Sequence, residues 1–211
     1  MDDSSISKVV TTHYDNGKLK TKCVYTSDDC WSEMEYYNSC DDNGQQQLES
    51  ECYYVNAEPK VGYAEPKVGC VEQHGLHQGW YPNGDIWFKR QFVNGESHGI
   101  HQVWYQKSHD NINSNNDDGE SQLKWQCYYD NGMLVGKHEQ WYPSGKLWEV
   151  GYYKNGYRSG TWIEYNQDGS YHKGPYDEDL KHGLWFSYNI NNYIILTTSY
   201  YDGQIISRYC E

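Results

Sequence analysis

No run of about 18 apolar residues occurs in these 211 residues, so no membrane-spanning helix is expected. Nor is there a charged-then-apolar start resembling a secretory signal, and a protein that is not secreted is expected. Positive charge is scarce: 17 Lys and Arg stand against 30 Asp and Glu, for a net charge of −13. Such a surface repels phosphate backbones and anionic lipid. Nucleic acid and acidic membranes are therefore excluded as expected direct partners, and a protein partner with a basic surface is favoured. The seven cysteines make an odd number without CxxC spacing, which points to reduced thiols rather than a disulfide framework. Catalytic signatures are missing too. There is no GxSxG elbow, phosphate-cradling glycine loop or HExxH, and His138-Glu139 is followed by Gln140-Trp141-Tyr142, which completes nothing. No enzyme and no cofactor are expected. Aliphatic residues are also few, while Trp, Tyr and Phe reach 17%, with 23 tyrosines and 9 tryptophans. Any core must be largely aromatic. Tyrosine suits a thin sheet, because its ring packs while its hydroxyl reaches water.

What is present is a repeat. Residues 136–160 read GKHEQWYPSGKLWEVGYYKNGYRSG, two extended aromatic-rich runs joined by a Pro-Ser-Gly turn and followed by Asn155-Gly156. That is the chemistry of a β-hairpin with an exit turn. With Gly136 as origin, the same register restarts at Lys8, Trp31, Gly75, Gly99, Gly160 and Gly183, at intervals of 23, 44, 24, 37, 24 and 23 residues. Five residues after each start stands a ring: His13, Tyr36, Trp80, Trp104, Trp141, Tyr165, Tyr188. Nine residues in comes the hairpin turn, at Gly17, Gly84, Gly145 and Gly169, with Asn192 in the last unit. Asn tolerates the left-handed region better than other side chains, so its presence keeps the pattern. Another ring precedes the next start by seven residues: Phe92, Tyr129, Tyr153, Tyr176. A fixed period of this kind signals a repeat architecture.

Units of this form resemble MORN repeats. The matching pieces are Tyr-Asp-Asn-Gly at 129–132, Tyr-Lys-Asn-Gly at 153–156, and His-Gly at 74–75, 98–99 and 182–183. The longer WYPxG hairpin is similar to the variant MORN type of bacterial and giant-virus proteins, some of the bacterial ones described as antitoxins. The resemblance runs from about residue 8 to the end. Two departures stand: the second glycine after His-Gly is replaced by Leu76, Ile100 and Leu184, and two intervals slip to 23. The resemblance implies protein association and, by older attribution, membrane contact. The charge argues against the membrane half. Asn-rich inserts fit a giant-virus or protist genome, and the expected location is the cytoplasm, or a virion and its host's cytoplasm.

The two long intervals hold insertions. Residues 57–69 repeat a short segment, Ala57 to Gly62 returning as Ala64 to Gly69, which reads as a loop expansion or a docking loop within 57–70. Its prolines forbid a central strand. Residues 106–119 form a polar, Asn- and Asp-rich tip expected to be mobile. The pairs His74/His77 and His98/His101 are spaced HxxH, and zinc could sit between adjacent units. However, i and i+3 diverge on a strand and His-Gly belongs to the repeat itself, so no metal is expected. Carboxylates such as Glu139, Glu149, Glu164 and Asp168 fall where solvated faces and turns put them.

The reading is all-β: a single elongated antiparallel β-meander of about seven repeated hairpins, about fourteen short strands, spanning residues 1–211. The first ring of each pair (Trp80, Trp104, Trp141) is expected inward. Its companions Tyr81, Tyr105 and Tyr142 are expected outward as partner-binding contacts, since period-two alternation separates neighbours. The aliphatic segment with Ile194, Leu196, Tyr200 and Ile205 is a second candidate surface, for self-association or a partner, with a final core layer as the alternative. The expected function is a non-enzymatic scaffold or assembly component. An antitoxin or immunity protein is the alternative, and a carbohydrate-binding or hydrolytic module the third reading.

Overall fold

Period-two alternation and left-handed turn residues produce strands nearly everywhere. The structure, a computed structural model, describes residues 8–27, 30–40, 45–56, 71–107 and 121–210. The duplicated loop at 57–70 and all but the first two residues of the 106–119 tip lie outside the described residues. Two units are formed: one holds the described residues of Met1–Gly99 and Gln106–Ser121, the other Ile100–Tyr105 and Gln122–Glu211.

In the first unit β1 (Lys8–His13), β2 (Leu19–Ser27), β3 (Cys30–Cys40) and β4 (Gln46–Asn56) pair in succession. Strand β4 then pairs with both β5 (Val71–Gln73) and β6 (Gly75–Trp80), and β6 with β7 (Ile86–Val93). After the Asn94-Gly95 turn, β8 (Glu96–Trp104) carries the chain into the second unit. There β9 (Leu123–Asp130), β10 (Met133–Trp141), β11 (Leu147–Lys154), β12 (Tyr157–Tyr165) and β13 (Tyr171–Asp177) pair in order. The short β14 (Leu180–Lys181) and β15 (Gly183–Tyr188) share β13, and β16 (Ile194–Tyr201) and β17 (Gln204–Cys210) complete the series. Every one of these pairings is antiparallel between neighbours, so each unit is a meander of the repeated hairpin. Three strands exceed the expected fourteen: β5 and β14, set apart from β6 and β15 by breaks at His-Gly, and β17, which follows the last counted hairpin.

The opening glycine of the repeat has a conformational reason. Gly75, Gly99, Gly136, Gly160 and Gly183 all have φ between 68° and 74°, a region closed to most side chains. Five of the described hairpin loops share one hydrogen-bond pattern: at the Tyr142 loop, Tyr142 N–H donates to Lys146 O at 2.8 Å, and Gly145 N–H to Tyr142 O at 2.9 Å. The Tyr14, Tyr81, Asn166 and Asn189 loops copy it, and Asn192 takes the left-handed place with φ 65°. The exit turns are two-residue turns with both φ positive, as at Asn155 (52°) and Gly156 (88°). Their tips dock on the unit before. Gly95 N–H donates to Gln73 O, Gly156 to Leu134 O and Gly203 to Lys181 O, each at 2.9 Å, and Asp179 to Arg158 O at 3.2 Å. These bonds span 21 or 22 residues, so the near-constant period is the spacing that satisfies them.

Candidate interaction surface

Burial alternates along the strands, and the buried row falls two residues after each opening glycine. That position holds His77, His101, His138, Trp162 and Trp185. Trp162 is completely buried, and His77, His101 and Trp185 are 2–3% exposed. Each ring packs on the aromatic ring that comes later in its own unit: His77 on Phe92 at 4.8 Å, His101 on Tyr129 at 4.4 Å, His138 on Tyr153 at 5.6 Å. From Tyr153 onward the contacts become a continuous edge-to-face series, Tyr153–Trp162–Tyr176–Trp185, with centroids 5.2–5.8 Å apart and planes at 77–88°. Such T-shaped contacts are favourable because a positive ring edge meets a negative face. Tyr200 extends the series to Trp185 at 6.3 Å.

Two interior glycines make the row possible. A Cβ at Gly151 would stand 2.1 Å from the Trp162 indole, and one at Gly174 would stand 2.4 Å from that of Trp185. The indole N–H groups are satisfied by backbone: Trp162 donates to Tyr152 O at 3.2 Å and Trp185 to Pro175 O at 2.9 Å. Cations cover the rings. Lys181 sits 3.7 Å over Trp185, and Arg158 4.4 Å over Trp162. Arg158 bonds Glu149 at 3.3 Å, which also meets His138 Nε2 at 3.2 Å, while Lys181 pairs with Glu164 at 2.8 Å. Burial alone would raise Glu149, but the His138 bond and the Arg158 charge outweigh it and hold the carboxyl below its usual range. Burial, then the bond to Glu164, holds the Tyr176 hydroxyl far above the ordinary phenol value. Glu149 and Glu164 lie directly opposite one another on β11 and β12, yet each is taken up by its own cation, so the pair offers no free acid and base.

This arrangement corrects the expectation about which ring goes inward. Trp80, Trp104 and Trp141 are only half-buried, and they alternate away from the buried row. The companion tyrosines serve as ties. Tyr105 OH donates to Trp141 O at 3.0 Å and Tyr142 OH to Tyr165 O at 2.8 Å, as Tyr37 OH does to Trp80 O at 2.8 Å. Burial raises the hydroxyls of Tyr81 and Tyr105, and Tyr81 also hydrogen-bonds the Gln106 backbone. Their rings are half-buried, with Tyr142 stacked on Trp148 at 5.4 Å and Tyr81 tilted on Trp87 at 5.8 Å. In the last hairpin Ile194, Leu196 and Tyr200 are half-buried, whereas Ile205 is 47% exposed. Strand β17 pairs with β16 and exposes Ile206 and Tyr209 as well.

The HxxH residues are held separately: His77 Nε2 meets the Tyr53 backbone, while His74 Nδ1 accepts from Asn94 N–H at 3.4 Å. Among the described residues no three His, Cys, Asp or Glu side chains come together as metal ligands. No helix among them is long and apolar enough to cross a membrane.

Sequence reasoning missed a row of open rings. Strand alternation that buries Cys127 and Gly151 turns Tyr128, Trp148 and Tyr152 to the opposite face, where they are 41%, 41% and 56% exposed. In the first unit Trp87, also 41% exposed, occupies the repeat position of Trp148. The signal was available, since Trp recurs twelve residues after Gly75 and after Gly136.

The profile of the MORN repeat variant family matches residues 73–94 and 134–155, two of the units counted above. No curated protein matches the chain significantly. MORN repeats generally serve protein or membrane interaction and are typically non-catalytic. The matched segments run through the β5–β7 and β10–β11 hairpins, and the loop pattern, opening glycine and docked exit turns recur in units outside them. The chain carries MORN repeats of the variant type at these two places.

Proposed function

We propose that this protein is a non-enzymatic interaction scaffold whose second unit offers the face carrying Tyr128, Trp148 and Tyr152 to a protein partner. The observation that supports the reading is the division of labour between rings. One row is buried and capped by the chain's own cations, while the other is open and large. Exposed Trp and Tyr of this kind are the residues that anchor interfaces. A basic partner suits both the net charge of −13 and the rings, which take cations as the chain itself does with Lys124 5.4 Å from the Tyr105 centroid. Self-association through β17 is a second contact we propose, because its outer edge exposes Ile205, Ile206 and Tyr209 and carries no carboxylate from 204 to 210. The free thiols Cys23 and Cys210 fit a reducing compartment such as the cytoplasm.

Affinity capture from the native source, with the wild type beside a Trp148→Ala/Tyr152→Ala variant of unchanged circular dichroism, tests the first claim. Partners lost with the variant support it, and the same partners at the same yield refute it. Sedimentation velocity of the wild type against Ile206→Glu tests the second, which fails if both sediment alike.

A further inference from the structure

The buried row holds histidine at three places, His77, His101 and His138, where Trp162 and Trp185 show that the fold also accepts a ring that cannot ionise. Trp162 and Trp185 fill their places with rings that cannot ionise, while His77, buried to 2% exposure, fills the equivalent place between β4 and β7 with one that can. We infer that His77 makes its part of the first unit acid-sensitive: on acidification the β4–β6 and β6–β7 pairings open while the Trp-centred pairings of β12 to β16 hold.

The surroundings of His77 argue for this. Its ring lies on Phe92 at 4.8 Å, and its Nε2 meets Tyr53 N at 3.2 Å and Tyr53 O at 2.8 Å. Directly opposite on β7 is Arg90, whose guanidinium rests 4.8 Å over Phe88 and opposes a second positive charge nearby. On the β4 side stand Cys52 and Ser50. Behind them on β3 are Glu33 and Glu35, which accept from Cys23 and Ser50. His74 precedes it on the β5 side, and Glu72 of β5 lies beside Gly95. Glu51 and Lys89 belong to the opposite face, where Glu51 accepts from Gln78 and Tyr53. Burial lowers the imidazole pKa, and the backbone bonds to Tyr53 and His74 pull the other way without cancelling it. The native state therefore favours neutral His77. The unfolded chain takes up the proton first, at the ordinary imidazole value of about 6.5, and stability is full above that value and lost as the pH falls through it. At the equivalent place in the second unit, His138 lies 3.2 Å from Glu149.

The test is hydrogen exchange by mass spectrometry on the full chain at pH 7 and pH 5, corrected for intrinsic rates. Peptides over β6 and β7 should lose protection at pH 5 while those over β12 to β16 keep theirs, and His77→Phe should abolish the loss. His77→Gln, which keeps a polar group for the Tyr53 backbone but cannot charge, should abolish it as well. The inference is overturned if β6 and β7 stay protected at pH 5, if both regions lose protection together, or if either folded variant loses it as the wild type does. Ring resonances of wild-type His77 decide the matter without any variant. Titration only alongside opening supports the inference, and titration at the ordinary value with the hairpins still protected refutes it.

Discussion

Single atoms decide whether the aromatic row can form. At Gly151 even one methyl group would overlap the indole of Trp162, and Gly174 stands in the same relation to Trp185. Gly151→Ala and Gly174→Ala should each cost about 1–3 kcal/mol as overpacking, read from the shift of a urea midpoint. A reverse case sits in an exit turn, where Glu178 (φ 45°) and Asp179 (φ 68°) occupy places that Asn and Gly fill in the neighbouring unit. Glu178→Asn should stabilise the protein by up to about 1 kcal/mol, since Asn visits this region at lower cost, and a higher melting temperature checks it. Glu149 carries a pH signature of its own. Its folded pKa is depressed, so it contributes stability above the ordinary carboxyl value, and that stability is lost as the pH falls through the native one. Glu149→Gln should therefore flatten the acid limb of a stability curve below about pH 4.5. A limb as steep as that of the wild type would contradict the role given to His138 and Arg158.

At the scale of strands and hairpins, the units are joined by bonds that recur at the period. Tyr142 OH on Tyr165 O and Gly156 N–H on Leu134 O each connect one hairpin to the next. Removing the hydroxyl with Tyr142→Phe should cost about 0.5–1.5 kcal/mol, the usual net value of one hydrogen bond, measured by denaturant unfolding. This level also shows what could be read in advance. Turn positions were plain in the sequence because Gly, Asn and Pro report the backbone directly, and the left-handed Asn192 is an instance. Facing was not. The WY pair at 141–142 announces that one ring goes each way but not which, because the β-bulge beside Trp141 shifts the register before the strand reaches the buried row. The His residues hid the core for a related reason: a buried imidazole replacing Trp looks polar in the sequence, and only the equivalence of His77, His138 and Trp162 in the count reveals it.

Within each unit the antiparallel repeat buries rings on one face and leaves rings on the other. An acidic, aromatic chain with scarce aliphatics needs that solution, since no conventional apolar core is available to it. The proposed scaffold role rests on what remains exposed, while the half-buried Glu149 and Glu164 hold the cations over the indoles. Both faces carry a tryptophan that can be removed in the same way, which makes the division directly measurable. Urea unfolding of Trp162→Ala and Trp148→Ala against the wild type should show a loss of about 3–5 kcal/mol for the buried ring. For the open one the loss should be about 1 kcal/mol, the worth of its stack on Tyr142. Equal losses, or a larger one at Trp148, would mean that the two faces do not divide the work in this way.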